Sequence, residues 1–190
     1  MNTRTQTKHI TIAALLIAIG ILIPMISPLK IILEPASFTL ASHVATMIAM
    51  FFSPGIAVAV AFGTAVGFML GGFPLVVVLR AATHMIFSYV GAKYIQKHPE
   101  MAHDIKKSLL FSFVLGVLHA GCEVIVVSLF YFAGNLTEAY YDKGLISSVM
   151  LLVGVGTVIH SMVDYWLAQV VWKTVGKKPC LYVRCRSENE

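Results

Sequence analysis

Pro74-Leu75-Val76-Val77-Val78-Leu79-Arg80-Ala81-Ala82-Thr83-His84-Met85-Ile86-Phe87-Ser88-Tyr89-Val90-Gly91-Ala92-Lys93-Tyr94 decides how this chain is read. The stretch is long and apolar enough to cross a bilayer as one helix. Yet it carries Arg80 and His84, four residues apart and so on one helical face. A cation inside a span costs ~3 kcal/mol on insertion scales, so Arg80 must face protein or a wet cavity rather than lipid.

The whole chain agrees with this reading. Of its 190 residues 58% are hydrophobic and only 12% charged, against about 25% charged in soluble domains, and the mean hydropathy is +0.83. Composition alone therefore predicts an integral membrane protein. At roughly 20 residues per span, the length accommodates about six spans and no separate soluble domain. The net charge of +5 comes from basic residues scattered at loop ends without interleaved aromatics, so nucleic acid is not indicated. Cys122 lies in an apolar run and reads as a small packing residue. Cys180 and Cys185 lie in a basic tail at a spacing that fits no standard zinc pattern.

Working outward, the expected fold is an all-α membrane protein, a compact bundle of six transmembrane helices forming a single domain over 1–190, with spans near 10–26, 39–52, 56–70, 74–94, 108–132 and 148–172. The first span is expected to stay in the mature chain, because Ser27-Pro28 rather than a small-x-small cleavage site follows it. It carries Ala14, Ala18 and Gly20, and small residues at that spacing let another helix approach closely. The segment 27–38 is expected as a loop whose apolar centre caps something. Ser53-Pro54-Gly55 and Gly71-Gly72-Phe73-Pro74 read as turns. Gly63, Ala65 and Gly67 suggest close packing of the third span. Tyr131, Phe132 and Trp172 at span ends read as interfacial aromatic anchors.

Lysine and arginine fix the expected orientation. With the N-terminus in the cytoplasm, the inner side holds Arg4, Lys8, Lys93, Lys97, Lys106, Lys107, Lys173, Lys177, Lys178, Arg184 and Arg186, and the outer side only Lys30 and Lys143. An even number of spans then puts both termini inside.

The last three spans each carry a polar pair at i and i+4: Arg80/His84, His119/Glu123 and His160/Asp164. Such pairs are expected to converge on one interior site. At 1.5 Å per residue, Arg80 lies roughly 9 Å below the outer end of its span and Glu123 roughly 14 Å below that of the fifth. His43 falls near the outer end of the second span, and Asp164 falls deeper and is expected to serve elsewhere. The simplest role for Arg80 and Glu123 is an ion pair holding the bundle together. Two functional readings go further. In one, Arg80 takes the carboxylate of a small organic anion through its planar fork, and His43, His84, His119, His160 and Glu123 read the rest of the solute. In the other, the histidines and carboxylates bind a divalent metal, against which Arg80 argues unless Glu123 neutralises it. No phosphate loop, nucleophile elbow or zincin motif occurs, so no enzyme activity and no cofactor are expected.

Six short spans, some 190 residues and Ala-x-x-x-Ala at Ala14 and Ala18 in the first span resemble the substrate-binding S components of energy-coupling factor (ECF) vitamin transporters. Ser37-Phe38-Thr39-Leu40-Ala41-Ser42-His43-Val44, followed by Gly72-Phe73-Pro74 and Val78-Leu79-Arg80-Ala81, is similar to the niacin-specific branch of that family. The resemblance implies a multi-pass protein of a bacterial-type plasma membrane. It implies a site near the outer surface among the loop after the first helix and the last three helices, and packing of Ala14 and Ala18 on a transmembrane coupling subunit. Transport would then be powered by two cytoplasmic ATPases, with the subunit toppling in the membrane to release its vitamin. The alternatives are an S component for another small organic anion or vitamin precursor, a stand-alone secondary transporter, or a divalent-metal uptake component. The metal branch resembles chains opening on Met-His, whereas this one opens Met-Asn-Thr.

Overall fold

The computed structural model describes residues 3–33 and 36–175, and the side chains of these apart from those of residues 4, 5 and 30–37. The readings placed on Lys177, Lys178, Cys180, Arg184, Cys185 and Arg186, and on the side chains of Arg4 and Lys30, fall outside what is described. The described chain is helical: α1 (Thr3–Ile26), α2 (Val44–Phe52), α3 (Pro54–Leu70), α4 (Leu75–Lys97), α5 (Ile105–Phe132), the short α6 (Glu138–Asp142) and α7 (Gly156–Val175), the last entered through a π-helical stretch, Ile146–Val155. Among the described residues, four helical segments are long and apolar enough to cross a membrane: Gln6–Ile26, Leu75–Lys97, Ile105–Phe132 and Ile146–Val175. Helix α3 is apolar but has 17 residues, and α2 has only 9, a length of roughly 14 Å.

Two features depart from the expected all-α bundle. The segment expected as a loop forms an antiparallel hairpin, β1 (Lys30–Leu33) paired with β2 (Ala36–Thr39), with Ile31 opposite Phe38. The second helix begins at Val44 rather than Thr39 because the backbone cannot continue through Ala41, whose φ is +68°. That left-handed conformation is unfavourable for a residue with a Cβ. It is held by an anchor far away in sequence: the Asp164 carboxylate accepts the backbone N–H of Ala41 at 2.9 Å and of His43 at 2.8 Å.

The helix ends follow local chemistry. Ser53 caps α3, its Oγ accepting the Ile56 N–H at 3.2 Å, with Pro54 in the first turn, where its missing N–H costs nothing. Asp104 caps α5 by accepting the N–H groups of Lys106 and Lys107, and the bond from Lys107 is the main reason its carboxyl lies below the usual aspartate range. Gly72 takes φ +75° in the turn into α4, a conformation glycine reaches without steric cost.

The glycines of α3 receive α1 as expected. A Cβ at Gly63 or Gly67 would run into Ile17 or Ile21, so those side chains sit directly against the α3 backbone. Ala14 and Ala18 face the other way and are exposed. The main core joins α2 to α4, α5 and α7 through Met47, Met50, Phe51, Phe87 and Tyr165, all fully buried. Trp172 belongs to this core rather than to an interfacial belt: it is 4% exposed and packs on Phe51 and Phe52 at ring-centroid distances of 5.3 and 5.0 Å. Phe132, in contrast, is 74% exposed. Within the two turns before Trp172 on α7, Tyr165 Oη and Gln169 Nε2 both donate to the Met101 carbonyl at 2.7 Å, which fixes the α4–α5 connection. Cys122 is half-buried on α5 rather than a core residue.

Candidate functional site

The three i, i+4 pairs do meet. Each stands on a face of α4, α5 or α7 that turns inward, and a cavity of about 250 Å³ opens beside them. Part of its wall is aromatic, formed by Phe38 from β2 and by Phe68 and Phe73 from the α3–α4 corner, the latter two stacked at 4.7 Å. Its polar side is formed by Ser42, His43, Arg80, His84, Glu123, Thr157 and His160. At this volume it lies just below the ~300–1,000 Å³ of sites for drug-sized ligands, a size suited to a single-ring solute.

Glu123 is the hub of the α4–α5–α7 contact. Its Oε2 accepts from Arg80 Nη2 at 2.8 Å and from Thr157 Oγ1 at 2.8 Å. Its other oxygen, Oε1, stands 3.5 Å from both His84 Nε2 and His119 Nε2. The Arg80–Glu123 ion pair is therefore real, but it does not consume the guanidinium. Arg80 keeps 19% of its side chain exposed, and its buried Nε has no hydrogen-bond partner among the described residues. Of five N–H donors in a fixed fork, one is committed to Glu123.

His43 occupies the centre of a second cluster. Its ring lies 4.8 Å from those of His84 and His119 and 5.0 Å from that of His160, each in an edge-to-face arrangement. Its Nδ1 lies 3.1 Å from Asp164 Oδ2. Ser42 Oγ lies 3.0 Å from His160 Nε2. Asp164, which sequence depth set apart, thus belongs to this cluster: the turn at Ala41–His43 drops His43 deep enough to meet it. His119 is fully buried behind the cavity wall; Ser161 Oγ lies 3.4 Å from its Nδ1, while its Nε2 has no hydrogen-bond partner among the described residues.

Sequence reasoning missed Thr157, Ser42, Thr64 and the three phenylalanines. Thr157 had a signal: it stands three residues before His160 and seven before Asp164, on the same face of α7. Phe38, Ser42 and Phe73 lie in the stretches that carry the family resemblance but were given no role there, and Phe68 had no signal, because these rings come from separate segments brought together by the hairpin and the Gly71–Pro74 turn.

Neither a family model nor a solved structure matches the chain. Among curated proteins, the chain is similar to the niacin transporter NiaX of Lactococcus lactis subsp. cremoris, with 44% identity over 165 residues, which span 87% of this chain and 73% of that one. Identity at this level over 87% of the chain, together with multiple membrane-length apolar helices, places the chain in a multi-pass membrane family. It belongs to the same family as that transporter, the S components of energy-coupling factor importers.

Proposed function

We propose that this protein is the niacin-binding membrane subunit of an ECF-type importer, and that Arg80 receives the carboxylate of nicotinic acid. The observation that carries the reading is the Arg80 guanidinium. It lies inside an apolar helix, is tied to Glu123 through Nη2 alone, and stands partly open to a cavity of single-ring size with aromatic rings in its wall. A carboxylate suits the remaining donors of the fork, and Phe38, Phe68 and Phe73 suit a flat pyridine ring. His43, His84 and His160 then face the rest of the solute, with His119 behind them. The relative's function as a niacin transporter supports the same ligand.

The bundle crosses the membrane six times in this reading, with α2 and α3 as its short members and both ends of the chain in the cytoplasm. Family membership supports a transmembrane coupling subunit and two ATPases as partners, because the chain has no nucleotide motif of its own. The exposed Ala14 and Ala18 form the smooth strip on α1 against which the coupling subunit packs. The experiment that tests the ligand is mass spectrometry of small molecules released from the purified chain, followed by titration of nicotinic acid and nicotinamide. Nicotinic acid should be released and should bind far more tightly than the amide. Release of a different solute, or equal binding of acid and amide, sinks the reading.

A further inference from the structure

Glu123 Oε1 has no close donor. The two imidazole nitrogens nearest to it, His84 Nε2 and His119 Nε2, both stop at 3.5 Å, beyond the ~2.9 Å at which N–H···O bonds cluster. His119 Nε2 is buried and makes no hydrogen bond among the described residues, although a buried polar atom normally has a partner. Three donor atoms spaced in this way suit a shared metal better than a set of hydrogen bonds. Zinc–nitrogen bonds of ~2.0–2.1 Å put tetrahedral ligand atoms roughly 3.3–3.4 Å apart. His43 completes the group: one ligand atom from each of His43, His84, His119 and Glu123 lies within 4.8 Å of the others.

We propose that Glu123, His84, His119 and His43 hold a divalent transition-metal ion of the zinc class at the inner wall of the cavity. The surroundings of the four residues have the form of support for metal ligands. His43 has its Nδ1 against the Asp164 carboxylate at 3.1 Å, the arrangement that fixes the tautomer of a ligating imidazole and leaves its other nitrogen free. Arg80 and Thr157 grip only Oε2 of Glu123 and so aim Oε1 at the histidines. Three imidazoles select zinc, nickel, cobalt or copper over magnesium or calcium. The Arg80 charge, which would repel a cation, is offset by its partner Glu123.

The ion also resolves a charge conflict, a point that rests on the niacin reading. With neutral histidines, Arg80 contributes one positive charge and Glu123 and Asp164 two negative ones. The cluster is then formally negative, and an anionic solute would enter against it. A divalent ion turns that sign positive, which favours a carboxylate next to Arg80.

The test uses the full chain purified without a histidine tag, stripped with chelator and returned to metal-free buffer. Cobalt(II) should bind at one ion per chain, with the visible absorption of a tetrahedral nitrogen–oxygen site, and zinc should displace it. His119→Gln should weaken cobalt binding by at least about tenfold, and His98→Gln, on the exposed loop after α4, should leave it unchanged. Nicotinic acid should bind the zinc-loaded protein at least about tenfold more tightly than the stripped one. Absence of a cobalt spectrum in wild type overturns the metal site, and if the stripped chain still binds nicotinic acid tightly the niacin reading survives. Stoichiometric cobalt without nicotinic acid binding to either form overturns the niacin reading and leaves the metal site standing. Cobalt binding with nicotinic acid affinity unchanged overturns the role assigned to the ion's charge. The wild-type measurements decide these cases even if His119→Gln does not fold.

Discussion

Arg80 on α4 and Glu123 on α5 meet at 2.8 Å, and the pair is built from one edge of each group: Nη2 of the guanidinium and Oε2 of the carboxylate. One bond thus holds two helices together while leaving donors for a solute on one side and an acceptor for the histidines on the other.

Removing Arg80 alone therefore tests two things at once. Arg80→Ala leaves a buried carboxylate uncompensated, which costs about 3–5 kcal/mol in comparable pairs, so a lower melting temperature is expected. Arg80→Ala combined with Glu123→Gln removes that orphan and should recover part of the stability. The double variant should still bind nicotinic acid about ten- to a hundredfold more weakly than Glu123→Gln alone, the value of a charge-assisted hydrogen bond of ~1.5–3 kcal/mol. Titration of acid and amide into it decides the matter: full acid-over-amide selectivity would mean that Arg80 serves only the bundle.

Asp164 holds a strained turn. Ala41 at φ +68° carries a cost of ~1–3 kcal/mol, offset by the two backbone N–H bonds to the carboxylate. Asp164→Ala should destabilise the protein by about 1–3 kcal/mol per orphaned group and should speed amide exchange at Ala41 and His43. Ala41→Gly relieves the strain and should be neutral or stabilising. Exchange measured by mass spectrometry on both variants checks this. Unchanged protection in Asp164→Ala would mean that the turn holds itself.

Gly156 lets Phe38 seat against α7. A Cβ there would stand 2.6 Å from Phe38 Cζ, so Gly156→Ala must push the ring, which lines the cavity. Nicotinic acid binding should weaken by up to about tenfold, roughly 1.4 kcal/mol, with little change in melting temperature. In a Phe38→Ala background the same methyl group should have almost no effect on binding. Additive losses in the double variant would rule out this coupling.

Ala14→Trp and Ala18→Trp place a large ring on the exposed strip of α1. They should leave solute binding by the isolated chain intact and abolish uptake in cells carrying the whole importer, because close helix approach is blocked. Normal uptake by both variants would remove α1 from the coupling interface.

A cysteine introduced at Lys143, between α6 and the π-helical stretch, should react with an impermeant maleimide on intact cells. A cysteine at Lys97, at the end of α4, should react only after lysis. The reverse pattern would invert the proposed orientation.

Much of this molecule can be read from the order of its residues. The fourth helix, expected over 74–94, runs from Leu75 to Lys97, because an apolar run between a Gly-Gly-Phe-Pro turn and a lysine-rich loop has few other options. Arg80, His84, His119, Glu123 and His160 point inward, as the cost of polar groups in lipid requires. The hairpin was hidden because its strands are short and interrupted by residues that suit a loop equally well. The start of α2 was hidden because nothing about an alanine announces a positive φ. The role of Asp164 was hidden for the same reason. Its main partners are backbone N–H groups more than a hundred residues earlier, and every residue but proline offers an identical group.

Leu40 closes the neck of the hairpin by donating its N–H to the Leu29 carbonyl at 2.9 Å, immediately before the turn that Asp164 grips. Strand pair and turn therefore behave as one plate with two fastenings, the end of α1 and a carboxylate on α7. Phe38 rides on this doubly held unit, so the aromatic wall it gives the cavity is tied at once to the first helix of the chain and to the last.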